Sequence, residues 1–100
     1  MPVNLNQLKP SSFDWDEHNQ YKNWHKHQVK FRECEQVFSN APLKIFPDPK
    51  HSQKEIRFLA YGVTNKLRQL TIIFTIRNKK IRVISARNQN KKEKRVYEEK

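Results

Sequence analysis

Glycine is almost missing from this chain, at one residue in 100. That excludes loops that wrap a phosphate with backbone N–H groups. Neither a P-loop nor a GxGxxG turn can be written, so any anion must be held by side chains. Cysteine is as scarce: Cys34 stands alone, which excludes an intramolecular disulfide and fits a reducing cytoplasm. No apolar run approaches the ~20 residues of a membrane-spanning helix, and the start carries neither the cationic nor the apolar region of a signal peptide. HExxH, CxxC and GxSxG are also absent, so metal ligation and acyl transfer from Ser85 lack their signatures. No metal and no cofactor is expected. Acids are outnumbered, with 10 Asp and Glu against 21 Lys and Arg, a formal net charge of +11. So strong an excess points to polyanions: nucleic acid, an acidic protein partner or a membrane surface.

What is present reads as one domain with a single modest core. Residues 1–12 show no clear period and are expected to be a flexible tail or an edge contact, ahead of a single domain over residues 13–100. Phe13-Asp14-Trp15 suits a short strand. Asp14 and Glu17 have the spacing of a capping box for a helix over 16–27, with Tyr21, Trp24 and Gln28 on one stripe. Lys22, His25, Lys26 and His27 make its last turns basic, which suits the negative end of a helix dipole. Phe31, Cys34, Val37 and Phe38 recur at helical spacing and predict a second helix, with Cys34 as a buried, inert thiol. Leu43 to Phe46 reads as an edge strand between prolines, and Pro47 to Ser52 as a loop.

The second half predicts a meander. Ile56 to Val63, Leu67 to Arg77 and Lys80 to Arg87 are strand-like, with turns at Thr64-Asn65-Lys66 and Asn78-Lys79. A two-residue turn at Asn78-Lys79 sets Arg77 opposite Lys80. One face then carries Ile72, Phe74 and Ile76 against Ile81, Val83 and Ser85, as the core side. The other carries Ile73, Thr75 and Arg77 against Lys80, Arg82 and Ile84, joined by Arg57, Leu59 and Tyr61. That mixed face is an ordinary solvated sheet surface or an anion-binding one. Its shortage of acids, with only Glu55 close by, favours the second. A helix from about Asn88 to Glu99 has few apolar groups and is expected to dock loosely, as a surface for a partner. The fold class is therefore α+β: a small antiparallel sheet with two N-terminal helices and one C-terminal helix.

Metal-free cleavage of a phosphodiester needs a base near a 2′-hydroxyl, cations around the phosphate and an acid for the leaving oxygen. Positioned acid–base groups supply roughly 10²–10⁴-fold, and electrostatic stabilisation often more. Lys26, His27, His51, Glu55, Arg57, Arg82 and Arg87 are chemically adequate. Each also has a plain alternative: Lys26 and His27 can simply end a helix, Glu55 and Arg57 can be a surface pair of little energetic worth, and Arg82 and Arg87 can serve an acidic partner.

Several pieces together resemble the BrnT family of toxins. They are Phe13-Asp14-Trp15-Asp16, Asn23 to Phe31, His51-Ser52 with Glu55-Ile56-Arg57, Gly62, Ile81 to Arg87, and Glu93 with Tyr97. The resemblance covers about residues 13 to 97. It implies a RelE-like fold, a metal-independent ribonuclease that inhibits translation and growth, neutralisation by a BrnA-type antitoxin from the adjacent gene, and operator DNA bound through the antitoxin complex. No membrane partner is implied. The resemblance also implies Lys26, His27, His51, Glu55, Arg57, Arg82, Ser85 and Arg87 as the functional set. Of these, Arg57, Arg82 and Lys26 would serve phosphate stabilisation, and His51 or Glu55 would be base or acid. Tyr61, Arg77 and Lys80 join Ser85 as expected RNA contacts, and Lys91, Lys92, Arg95 and Tyr97 as expected antitoxin contacts. Three positions depart from the family pattern: Gln28 stands where glycine is usual, Lys30 where serine is usual, and Asn88-Gln89 where arginine and alanine are usual. Two other classes stay open at this point. One is a non-catalytic basic RNA- or DNA-binding domain acting only within a repressor complex; the other is a scaffold whose basic surface receives an acidic segment.

Overall fold

The structure is a computed structural model that describes residues 3–8, 10–51 and 54–99, His51 by its backbone alone. Along the chain lie α1 (Leu5–Leu8), β1 (Ser12–Phe13), α2 (Glu17–His27), α3 (Phe31–Ser39) and β2 (Lys44–Pro47). A 3-10 turn at Pro49–His51 leads to β3 (Arg57–Val63), β4 (Gln69–Arg77), β5 (Lys80–Asn88) and α4 (Lys91–Glu98). The five strands form one sheet in the order β1-β5-β4-β3-β2. The meander of β2 to β5 is antiparallel, whereas β1 pairs in parallel with β5, Phe13 opposite Ile81.

The β4–β5 turn follows the expectation. Asn78 and Lys79 both adopt positive φ, 52° and 64°, the conformation whose twist matches that of the flanking strands. Arg77 pairs with Lys80. The β3–β4 register likewise sets Phe58 opposite Phe74 and Ala60 opposite Ile72. These side chains, with Ile45, Leu70 and Val83, make the buried side of the sheet, and α3 closes it with Cys34, Val37 and Phe38. Burial pushes the Cys34 thiol up to about 12, so it remains protonated and inert. Gly62 has a packing use: a Cβ there would meet Val37 Cγ1 at 2.5 Å, so only a hydrogen lets α3 lie this close to β3.

α2 differs from expectation. Its N-cap is Asp16, whose Oδ1 accepts from Asn19 N (2.9 Å) while Asn19 Oδ1 accepts from Asp16 N (2.7 Å). Its inward stripe is polar: Asn19 and Asn23 are each 3 % exposed, whereas Tyr21 and Trp24 are turned to solvent. The reason lies in the sheet. β1 covers only the start of β5, and α2 covers the rest of that open edge with side chains. Ala86 N donates to Asn23 Oδ1 (3.0 Å), Lys22 Nζ to Ile84 O (3.3 Å), and Asn19 Nδ2 to Asp14 O (2.9 Å) within 3.5 Å of Val83 O. Unpaired strand edges need covering, and here asparagines do it. The segment expected as a tail has contacts of its own: Val3 N donates to Ile45 O, and Val3, Leu5 and Leu8 pack against the core. Met1, Pro2 and Lys9 lie outside the described residues, as does Lys100.

Candidate functional site

The site begins with an irregularity in β5. Ile73 pairs with Ser85 while Phe74 pairs with Val83, so Ile84 is an extra residue. A bulge of one residue exchanges the faces of everything beyond it. The expected burial of Ser85 beside Ile81 and Val83 is therefore corrected: Ala86 takes the core position, and Ser85 and Arg87 join Arg82 on the mixed face. Three successive rungs of that face carry the site, with the Arg77–Lys80 pair next to the first of them at the hairpin. Arg57, Thr75 and Arg82 form the first; Phe46, Leu59, Ile73 and Ser85 form a largely apolar middle; Lys44, Tyr61, Thr71 and Arg87 form the last. The outer rungs are four residues apart along β3, about 13 Å at strand rise.

The first rung gathers Glu55, Arg57, Arg77 and Arg82, and its cations meet carboxylates. Arg77 Nε and Nη2 each lie 3.0 Å from Glu55, and Arg57 Nη2 lies 3.7 Å from it. Arg82 Nη2 donates to Asp16 Oδ2 at 2.8 Å, and Nη1 lies 3.6 Å from Asp14. The Arg77 hydrogen bonds hold Glu55 below the usual carboxylate range, and the Asn19 N–H followed by Arg82 does the same for Asp16. The expected shortage of acids on this face is thus corrected. Asp14 and Asp16 arrive from 66 to 68 residues away because β1 lies along β5 and α2 begins beside Arg82. Lys80 is exposed at the hairpin.

The last rung is partly covered. Arg87 makes two bonds to Glu93, Nη1 to Oε1 at 2.6 Å and Nη2 to Oε2 at 2.9 Å, and Glu93 is only 9 % exposed. Burial pushes the Glu93 carboxyl up, but Arg87 and the Asn90 N–H outweigh it and the net shift is down. α4 supplies Glu93 and is firmly seated. Tyr97 is 5 % exposed and donates its hydroxyl to Pro42 O (2.7 Å), while Lys44 Nζ donates to Val96 O and Glu99 O at the helix end. Loose docking of this helix is therefore corrected. Tyr97 is not presented to a partner, whereas Lys91, Lys92 and Arg95 are exposed. Tyr61 is half-buried on this rung, and burial raises its hydroxyl.

Lys26 and His27 come to the same end from the last turn of α2. Partial burial lowers the His27 pKa, and the charges of Lys26, Arg87 and Lys22 lower it further. The imidazole stands near three cations whose charges disfavour its protonation. The sequence-predicted residues thus fall into two groups: Glu55, Arg57 and Arg82 with Arg77, and Lys26 and His27 with Arg87. Ser85 lies between them. The side chain of His51 lies outside the described residues.

Sequence reasoning missed Arg68. Its Nη1 donates to Gln28 O (2.9 Å) and approaches both Glu33 oxygens (3.2 Å), its Nη2 donates to His27 O (3.2 Å), and its Nε donates to Asn88 Oδ1 (2.7 Å). One guanidinium therefore ends α2, braces the start of α3 and ties both to the residue after Arg87. No local signal marks it, since its partners are 20 to 41 residues distant. Gln28, beneath it, adopts φ 53° as the C-cap in place of a glycine. Lys30 makes no side-chain cap; its N–H instead donates to Glu33 Oε1 (3.0 Å).

Comparison with known proteins agrees with this fold. The family described as "Ribonuclease toxin, BrnT, of type II toxin-antitoxin system" matches residues 15–93. Among solved structures, the chain is similar to the Brucella abortus ribonuclease toxin BrnT, known from a crystal structure at 1.1 Å. The two share 28 % identity with a TM-score of 0.60, over 80 % of this chain and 97 % of that one. No curated protein sequence matches significantly.

Proposed function

Because the chain belongs to the BrnT family of ribonuclease toxins of type II toxin–antitoxin systems, we propose that it is a metal-independent endoribonuclease whose cutting arrests translation and growth in the cytoplasm. Its antidote is a BrnA-type antitoxin from the adjacent gene, and the pair occupies operator DNA. The observation that carries the catalytic reading is His27, an imidazole whose pKa is lowered by partial burial and by the charges of Lys26, Arg87 and Lys22. A base must be unprotonated at working pH and close to cations that hold the substrate anion.

In this reading His27 takes the proton of a 2′-hydroxyl, and the freed O2′ attacks the adjacent phosphorus. The P–O5′ bond breaks, leaving a 2′,3′-cyclic phosphate. Arg87 and Lys26 neutralise the charge that builds on the non-bridging oxygens, and the Lys26 ammonium gives a proton to the departing O5′. Arg57, Arg77 and Arg82, on the other charged rung, bind a neighbouring phosphate, with Tyr61, Ser85 and Lys80 along the path. Base duty suits His27 better than Glu55, which Arg77 holds as a weakly basic carboxylate. Glu93 occupies Arg87 in the free protein, so substrate phosphate competes with it.

The test is incubation of partner-free protein with RNA in the presence of a chelator. Cutting should persist, should stop with a single 2′-deoxy substitution at the cut position, and should be lost in His27→Ala. RNA left intact but bound in a salt-dependent way would replace this reading with a non-catalytic binding domain.

A further inference from the structure

α2 is unusual in what it leaves outside. Because Asn19 and Asn23 bind the β5 edge, Tyr21 and Trp24 are 54 % and 43 % exposed, although an amphipathic helix normally buries such rings. They border an open groove between α2 and α3 with a volume of about 400 Å³, completed by Gln20, Lys30, Phe31 and Arg32. Lys30 Nζ stands 5.8 Å from the centre of the Trp24 ring, and the Arg32 guanidinium 5.9 Å from that of Phe31. Phe31 is braced from behind by Trp15, edge-on at 5.6 Å. The carboxylates of α3 are engaged elsewhere, Glu33 by Arg68 and the Lys30 N–H, Glu35 by Trp15 Nε1 at 2.8 Å. Glu17 is one turn before Tyr21 on the same side of α2 but does not line the groove. The groove is therefore both aromatic and cationic.

We infer that this groove is a stacking subsite for an unpaired nucleobase of the RNA substrate, with Lys30 and Arg32 taking the phosphate beside it. Protein sites for single strands combine these two elements: aromatic faces on which any base stacks, and cations that follow the backbone. A protein segment would have to supply acids for Lys30 and Arg32 and an apolar face for Trp24; a nucleotide carries both in one unit. Charge complementarity and position favour the nucleotide. Trp24 is three residues before His27, and a strand leaving the His27–Arg87 end crosses the last turns of α2, roughly 10 Å wide, past Lys22, His25 and Lys26. Lys30 covers the indole until a base takes its place. Stacking selects for single strands over duplex, with little preference among bases.

This inference rests on the ribonuclease reading, and its test separates the two. A short RNA made uncleavable by 2′-deoxy substitution at the cut position is titrated against wild-type protein, Trp24→Ala, Trp24→Phe and Lys30→Glu, with binding read by anisotropy. Trp24→Ala should weaken binding roughly 5- to 100-fold, Trp24→Phe should restore most of it, and a duplex of the same sequence should compete poorly. With cleavable RNA, the loss in Trp24→Ala should fall on KM rather than kcat. Unchanged affinity in Trp24→Ala, with wild-type cutting intact, would overturn the subsite and leave the ribonuclease standing. Unchanged RNA affinity with weakened binding of the antitoxin would also overturn it and make the groove a protein surface. Weakened binding in a protein that cuts no RNA would support the subsite and remove the catalytic reading instead.

Discussion

The two charged ends of the mixed face use the same side chains in different ways. At one end, Arg77 and Arg82 meet Glu55 and Asp16, carboxylates that stay open to water, in pairs of the kind that contribute little to stability. At the other, Arg87 meets a nearly buried Glu93 under a seated helix, and its charge helps to lower the His27 pKa. In the proposed mechanism the first end only holds phosphate. In the same proposal the second end, where the charge of Arg87 reaches His27, is where the phosphodiester reacts. The difference lies in the acids: Asp14, Asp16 and Glu55 stay open to water, whereas Glu93 is nearly buried where α4 is seated.

The comparison breaks most sharply at His27. His27→Ala should reduce RNA cleavage by about 10²–10⁴-fold, whereas Arg82→Ala should raise KM and lower the salt dependence of binding by about one phosphate contact. Equal losses of kcat in both variants would erase the distinction. Next is Arg87→Ala, which strands the Glu93 carboxylate. It should cost about 2 kcal/mol in denaturant unfolding, and adding Glu93→Gln should recover part of that. A stability unchanged in the single variant would mean that the pair is as slack as those of the first rung. Arg68→Ala should cost about 1–2 kcal/mol by freeing two helix-end carbonyls and should also slow cleavage, because His27 loses its anchor.

A titration sharpens the same contrast. His27 should show an NMR midpoint below the ordinary 6.5, and Lys26→Ala should move it upward. The sign for stability follows. With the folded pKa lowered, the unfolded chain binds more protons in the interval below 6.5, so the His27 contribution falls as pH drops through that interval and is fully present above it. A midpoint at or above 6.5 would remove the argument for His27 as base. The smallest expected effect is at Gln28, whose φ of 53° suits glycine. Gln28→Gly should relieve backbone strain and stabilise by up to about 1 kcal/mol, visible as a small rise in Tm.

Legibility followed the range of the forces. The strands, the β4–β5 turn, the α3 stripe of Phe31, Cys34, Val37 and Phe38, and the basic end of α2 are local patterns, and each was readable. The β3–β4 turn runs two residues past Lys66, with Leu67 exposed and β4 starting at Gln69. The polar inward stripe of α2 was not, because Asn19 and Asn23 answer to an unpaired strand edge 63 to 64 residues away. The acids at Arg82 and the clamp of Arg68 were hidden for the same reason. α4 was underestimated because Tyr97, Glu93 and Lys44 seat it with three directional contacts rather than an apolar stripe.

By itself the sequence determined an α+β domain, a strongly basic surface held by side chains rather than glycine loops, and the residue types from which a phosphate site could be made. Only the tertiary structure decided which of them meet. A bulge at Ile84 turned Ser85 and Arg87 onto the face of Arg82, since one extra residue reverses every side chain beyond it. The closure of α2 on β5 then brought His27 among cations and partly out of water, and a pKa is set by surroundings that no stretch of sequence contains.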